Sequence, residues 1–525
     1  MKDGTGSTPG RQAVVAAMSA AAALCVVAVA LRYGLQMLDD GYYYLQIAWN
    51  LSRGLGFTFD GTSPTNGFHP LWQVMIVPVF WLVSDKLAAA FVVTAIQALL
   101  FSASGFVMYR LVSALSRSAA AGTMAAAFWL FNLWFWSKGA LSGMETGLLM
   151  FVYGLCLLSL ARLFEGRGRL AATGVLLALA CASRIDSMAL VAAAFAVLLL
   201  KKRAKAAVAV SAPAAAFVAA YLALNMVFAG GALPISGYLK SVTGRALAAR
   251  FVASGDPAII RHALANLVEL FSLGGRLPSA AALALAACGA VLLAALIARL
   301  RTPGREIAAI QTGCAVLMLT YYSAMYDSLL GAYTYYWYPV IYGFLAVAWT
   351  VWAALPRRWV RAASASCVFA GLAAFDLAYG ADRMQSYSFV VPWGERPDAR
   401  GVEFLDGLGE GAVIGSWDAG YVGYFCTRRV VNLDGLVNSY RFQRILREDG
   451  FAAYLDSAGI DYLANVDYFH GTKEMIRDGL GWPQVFGDSC EFPRPVSVFS
   501  LSPAERGYAS HGVRAFFVFE RPGGS

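Results

Sequence analysis

Charge is scarce in this chain of 525 residues: Asp, Glu, Lys and Arg make up 14% of it, against 59% hydrophobic residues. One soluble core cannot hide that much apolar surface, so the surplus must face lipid. Histidine is almost missing, and its 4 residues are too dispersed for a structural zinc site. The 8 cysteines stand singly, and all but Cys426 and Cys490 lie in apolar runs, where they read as small buried hydrophobes. A disulfide is open only to that last pair. No G-x-G-x-x-G is present: Gly415-Ser416-Trp417-Asp418-Ala419-Gly420 has glycines without the order a nucleotide turn needs. Neither a clear internal repeat nor matching broken helices in two halves is evident, which weighs against a transporter.

What is present is a series of apolar runs, each near the ~20 residues that cross a bilayer. They fall at 12–36, 87–110, 118–136, 144–162, 169–183, 186–200, 206–228, 279–299, 306–325, 337–355 and 362–380, about eleven spans in all. The run at 71–83 abuts the next span and reads as interfacial. The first run is too long for the core of a signal peptide and lacks a convincing cleavage site. A net charge of +9 would suggest nucleic acid, but the basic residues gather in alternate connections, at 110–117, 162–169, 201–205, 299–305 and 357–361. By the positive-inside rule those loops are cytoplasmic, as is the N-terminus. The loops 37–70, 229–278 and 326–336 and the segment 381–525 then lie outside.

The first outer loop begins with Asp39-Asp40, followed by a helical pattern from Tyr42 to Leu51 that suits the interface, with its rings at headgroup depth. Two adjacent acids at a helix exit need a wet cavity, a partner or a cation; capping that helix is the plainer role. Gly61, Pro64, Gly67 and Pro70 then punctuate an irregular stretch that brings His69 to the membrane face.

Asp39-Asp40, the aromatic helix, Asn50 to Phe57 and the loop closing on Pro70-Leu71-Trp72 resemble the first periplasmic loop of the GT-C superfamily of membrane glycosyltransferases. The branch they resemble most contains bacterial arabinofuranosyltransferases with polyprenyl-phosphate donors, although Trp49 stands where Arg is common there. His69-Pro70 is similar to an element of protein mannosyltransferases and lipid A aminoarabinose transferases. Looser similarity runs through residues 1–380 by way of Gly143-Met144-Glu145-Thr146 and Ser183-Arg184-Ile185-Asp186.

The resemblance implies an inverting enzyme of the bacterial cytoplasmic membrane that moves a sugar from a polyprenyl-phosphate donor to an envelope glycan, glycolipid or protein. Asp40 or Asp39 would be the general base, which must come within about 3 Å of the acceptor hydroxyl. The leaving phosphate needs charge stabilisation, for which Arg184, His69, Lys240 and Arg261 are candidates; Lys138, Arg245, Arg250 and Arg276 are further outer cations. Arg184 is favoured because an isolated arginine between two spans is expensive without an anion, although Asp186 could neutralise it. Glu145, Asp186, Tyr335 and Trp337 are candidates for sugar or acceptor contacts, the aromatic pair serving equally well as interfacial anchors. A magnesium or calcium ion between Asp39 and Asp40 is a further option. The rival classes are a transporter or flippase of a lipid-linked sugar and a non-catalytic assembly factor.

Residues 381–525 change to a mixed composition and read as an outer α/β domain. Strands are expected at 412–416, 429–433, 461–465, 496–501 and 515–519, with a short helix or turn at 420–425 and an amphipathic helix at 441–458. Asp418 and Asp434 fall just beyond strand ends, where α/β folds place ligand contacts; turn formation explains them as well.

Overall fold

The computed structural model describes residues 9–271, 294, 297–298, 300–326, 334–384, 393–448, 450–467, 497–500 and 515–520. Helices occupy every expected span except 279–299, most of which lies outside the described residues. Among the described residues, six helices are long and apolar enough to cross a membrane: Pro9–Tyr33, Lys86–Ser116, Thr146–Phe164, Ala204–Ala229, Gly304–Met325 and Arg358–Met384. The chain is a multi-pass helical membrane protein. Shorter apolar helices, Pro70–Leu82, Ala119–Leu130, Leu170–Ser183, Ile185–Leu200 and Tyr338–Ala353, pack among them.

Local chemistry sets the boundaries. Asp85 and Ser118 accept hydrogen bonds from the N–H groups of Ala88 and Ala121, capping the helices that follow. Pro70 begins its helix at a position where no N–H is needed. The expected span 118–136 ends early, because Asn132 caps a new short turn that runs into a π-helical segment, Trp136–Ala140. At Arg184 the backbone is extended and separates Leu170–Ser183 from a 3-10 turn at Ile185–Ser187, as the sequence suggested.

The C-terminal part carries a five-stranded sheet in the order β2-β1-β3-β5-β4. The strands are β1 (Val413–Ser416), β2 (Arg429–Asn432), β3 (Tyr462–Asp467), β4 (Ser497–Ser500) and β5 (Ala515–Glu520). β1 pairs in parallel with β2 and β3, whereas β5 runs antiparallel to β3 and β4. The single helix expected over 441–458 is two, Tyr440–Glu448 and Gly450–Ala458, with Gly450 at φ 86 starting the second. Only a glycine takes that conformation without strain. Cys426 is a free thiol directed at Asp406, 3.2 Å away; Cys490 lies outside the described residues.

The sheet is pressed onto the helix Asp39–Ser52. This corrects the interfacial reading of that helix: Tyr42, Tyr43 and Tyr44 are buried under protein. Tyr42 meets Tyr421 edge-on at 5.5 Å, and Tyr43 donates to Asp434 at 2.5 Å. The apolar core is continuous from the bundle into the sheet. Contact is close enough to exclude a side chain, since a Cβ on Gly420 would stand 2.1 Å from the Asp39 carbonyl oxygen. Gly420→Ala should therefore cost about 1–3 kcal/mol through overpacking. Thermal unfolding and limited proteolysis of the purified protein check this, and an unchanged midpoint would contradict the tight docking.

Candidate active site

Three helix starts and one loop converge on a buried charge network. The Ser142–Glu145 turn is clamped from the side by Gln97, whose amide donates to Ser142 Oγ at 3.0 Å and the Met144 carbonyl at 2.7 Å. Its carbonyl oxygen accepts from Gly143 N–H at 2.9 Å. That turn aims Glu145, wholly buried, at Arg184, which is 5% exposed. Arg184 Nη1 donates to Glu145 Oε1 at 2.5 Å, and Nη2 to Asp186 Oδ2 at 2.8 Å. Tyr44 donates to the other Glu145 oxygen at 2.8 Å, and Tyr322 to Asp186 at 2.5 Å. A guanidinium flanked by two carboxylates is the arrangement that lets charge persist at this depth.

His69 stands 3.5 Å from Glu145 through Nε2. Burial pushes its pKa down to about 4, outweighing the pull of Glu145, so the ring is neutral near pH 7. Lys240 donates to the Tyr336 hydroxyl at 3.0 Å, and the Arg184 guanidinium lies 4.5 Å from the centre of the same ring. Tyr336 is thus shared by two cations.

These groups surround a cavity whose walls include Asp40, His69, Arg184, Lys240 and Tyr336, with Leu436 contributed by the sheet. A second cavity shares His69, Arg184, Lys240 and Tyr336 and continues past Asp186 to Tyr321, Tyr322 and Tyr326. Together they form one cleft.

The two first-loop acids serve different neighbours. Asp40 faces the cleft. Asp39 accepts from the N–H groups of Gly420 and Tyr421, at 2.9 and 3.0 Å, and so caps the helix Gly420–Phe425 rather than its own. Asp418 and Asp434, beyond the ends of β1 and β2, are not among the wall residues of the cleft, and Asp434 accepts from Tyr43 of the helix Asp39–Ser52. Burial and then the charge of Asp418 raise Asp39 well above the usual carboxylate range. Asp418 is pushed up to about 7 by burial, then by Asp434 and Asp40, and burial raises Asp434 despite the Tyr43 hydroxyl. Below about pH 7, Asp418 therefore holds a proton that the unfolded chain would release.

Of the other expected residues, Arg261 is absent from the cleft walls and lies exposed beside Asp256, 3.5 Å away. Trp337 packs against Tyr322 at 5.5 Å without lining the cleft, and the side chain of Tyr335 lies outside the described residues. Among the described side chains of this run, Tyr336 is the one in the wall; the aromatic run signalled the segment but not this ring. Among the described residues, no three His, Cys, Asp or Glu side chains are grouped as metal ligands.

Residues 398–509 match the family described as Domain of unknown function (DUF8728), which covers most of the sheet region and none of the bundle. No curated protein matches the sequence. Among solved structures, the chain is similar to the crystal structure of ArnT from Cupriavidus metallidurans bound to undecaprenyl phosphate, with a TM-score of 0.52 and 13% identity. The alignment covers 96% of this chain and 97% of that one. The two folds are alike.

The raised carboxyls give a signed expectation. Their contribution to stability is complete below the unfolded value near ~4 and is lost as pH rises through about 7, the folded value for Asp418. Asp418 also has φ 43, a left-handed conformation that Asn tolerates well. Asp418→Asn should therefore raise the unfolding midpoint at pH 8, with the advantage shrinking toward pH 4. A midpoint difference independent of pH would remove the proton linkage.

Proposed function

We propose that the chain is an inverting GT-C-type glycosyltransferase, drawing its sugar from a polyprenyl-phosphate donor and passing it to an acceptor hydroxyl in the cleft. The observation that carries this reading is the meeting of a carboxylate, Asp40, with the cations Arg184 and Lys240 around one cavity. ArnT, similar in fold, was crystallised with undecaprenyl phosphate, which favours a lipid phosphate as ligand.

In this reading Arg184 and Lys240 hold the phosphate where the two cavities join. Each side chain lines both, and developing negative charge on the leaving oxygen is stabilised by donors already in place. The sugar extends toward Asp40. Asp40 takes the proton from the acceptor hydroxyl as the new bond to the anomeric carbon forms and the bond to the phosphate oxygen breaks. The lipid chain leaves past Tyr321, which is 45% exposed. His69, being neutral, contributes a hydrogen bond rather than a charge. Glu145 and Asp186 hold Arg184 in orientation and moderate its charge, so they act as positioning residues. Asp39 joins the sheet to the bundle, and with both its oxygens engaged by N–H groups no divalent cation is assigned to the acid pair.

The wider organisation follows the same reading: about eleven spans in residues 1–380, an outer α/β domain in 381–525, and a bacterial cytoplasmic membrane with the cleft facing outward. The acceptor is an envelope glycan, glycolipid or protein.

Asp40→Asn should lower kcat by at least ~10²-fold while donor binding is retained, as expected for a lost general base. Asp39→Asn should chiefly lower the unfolding midpoint. Sugar release from polyprenyl-phosphate donors, assayed in detergent beside donor binding, separates the two. Undiminished turnover in Asp40→Asn would overturn the base assignment, and donor movement across a bilayer without bond cleavage would replace transfer by transport.

A further inference from the structure

The helix Tyr440–Glu448 carries Arg441, Arg444 and Arg447, three residues apart, and all three are exposed. Residues so spaced are neighbours on a helix surface. The remaining face buries Phe442 and Leu446 in the core that the sheet builds around Trp417. A basic stripe on a solvated helix is ordinary; the setting of this one is not.

Tyr440 donates to the Leu233 carbonyl, and its ring lies on Gly231, where a Cβ would come within 2.3 Å of it. Arg447 Nη1 donates to the Tyr238 hydroxyl at 3.2 Å, and the rings of Tyr238 and Tyr440 meet with centroids 5.2 Å apart. Arg245 lies over the Tyr238 ring, 3.7 Å from its centre, and donates to the Tyr238 carbonyl at 2.8 Å. Two guanidinium groups from distant parts of the chain are thus held at one tyrosine, which leaves each with less freedom to lose on meeting an anion. Among the described residues none of the four arginines is in an ion pair, although Glu448 adjoins Arg447.

This basic ridge borders the cleft. Tyr238 belongs to the helix Ile235–Lys240, whose Ser236 and Lys240 line both cavities and whose Gly237 lines the second, as does Leu233 just before it. A helix of that length spans about 9 Å, so a chain lying along the ridge passes beside the cleft. We propose that the ridge docks an anionic glycan, a chain of sugars bearing carboxylate or phosphate groups, and presents it to the cleft as the acceptor. The role as acceptor rests on the transfer reading above, whereas the binding does not.

The test titrates the purified full-length protein, in neutral detergent and without donor, with an oligogalacturonate and separately with its methyl ester, which keeps the backbone and removes the charge. The wild type should bind the acid at least ~fivefold more tightly, the scale of several exposed charge contacts, and the preference should shrink as salt is raised. Arg441→Gln with Arg444→Gln, which spares the contact of Arg447 with Tyr238, should reduce the preference severalfold, and adding Arg245→Gln and Arg447→Gln should abolish it. Arg441→Lys with Arg444→Lys should keep most of it. Arg250→Gln with Arg261→Gln, which removes two exposed arginines beside Asp256, should leave it unchanged. Equal affinity for acid and ester in the wild type, a preference surviving loss of all four arginines, or an equal loss in the Arg250 and Arg261 variant would each overturn the proposal. Displacement of the oligomer by phosphatidylglycerol micelles or by inorganic phosphate at comparable concentration would reassign the arginines to a lipid headgroup or a small anion and overturn the glycan as occupant. An intact preference in a protein that releases no sugar from any polyprenyl-phosphate donor would uphold the docking surface and sink the transfer reading instead.

Discussion

A guanidinium buried between two short helices governs the architecture around the cleft. Arg184 cannot remain charged there alone, because removing it from water costs several kcal/mol unless partners replace the solvent. Glu145 and Asp186 do so, each backed by a tyrosine hydroxyl. This requirement fixes the turn before Thr146–Phe164, the break after Ser183 and the face that Gly304–Met325 presents through Tyr322. Residues far apart in the chain are thereby held in one register, and a cavity persists between them rather than collapsing.

A second constraint joins the bundle to the sheet. The ends of two parallel strands meet the helix Asp39–Ser52, and Asp39 receives the N–H groups that open Gly420–Phe425. Nearby, Arg429 reaches Asp60 at 2.8 Å, and Tyr440 donates to the Leu233 carbonyl at 2.7 Å. The glycines at 41, 67 and 420 allow backbone to approach backbone, since a Cβ at any of them would come within 2.4 Å of a carbonyl oxygen. Such contacts tolerate little change in volume.

Much of this was legible in the sequence, and the remainder was not for physical reasons. Apolar length located the helices, and the Ser183–Asp186 break was visible because an Arg and an Asp interrupt an otherwise lipid-like run. Asp418 and Asp434 were placed beyond strand ends from alternation and turn residues alone. What escaped was partnership. Adjacent Asp39 and Asp40 are chemically identical, and only the arrival of Gly420 from 381 residues away distinguishes them. The rings of Tyr42 to Tyr44 were assigned to the headgroup layer because hydropathy cannot distinguish a lipid surface from a protein surface of similar polarity. Tyr336 was passed over for its neighbours because helical phase in a four-residue 3-10 turn is too short to read.

Leu436 in the cleft wall carries a consequence for biosynthesis. Chains emerge from the ribosome N-terminus first and their parts fold largely in that order, so the helices that bear Asp40, Arg184 and Lys240 are inserted while the sheet is still unmade. Until β1 and β2 are complete and docked, the pocket lacks the part of its wall that Leu436 supplies. A nascent or truncated chain would own every charged group of the site without its enclosure, and closure of the chamber is the last event in its assembly.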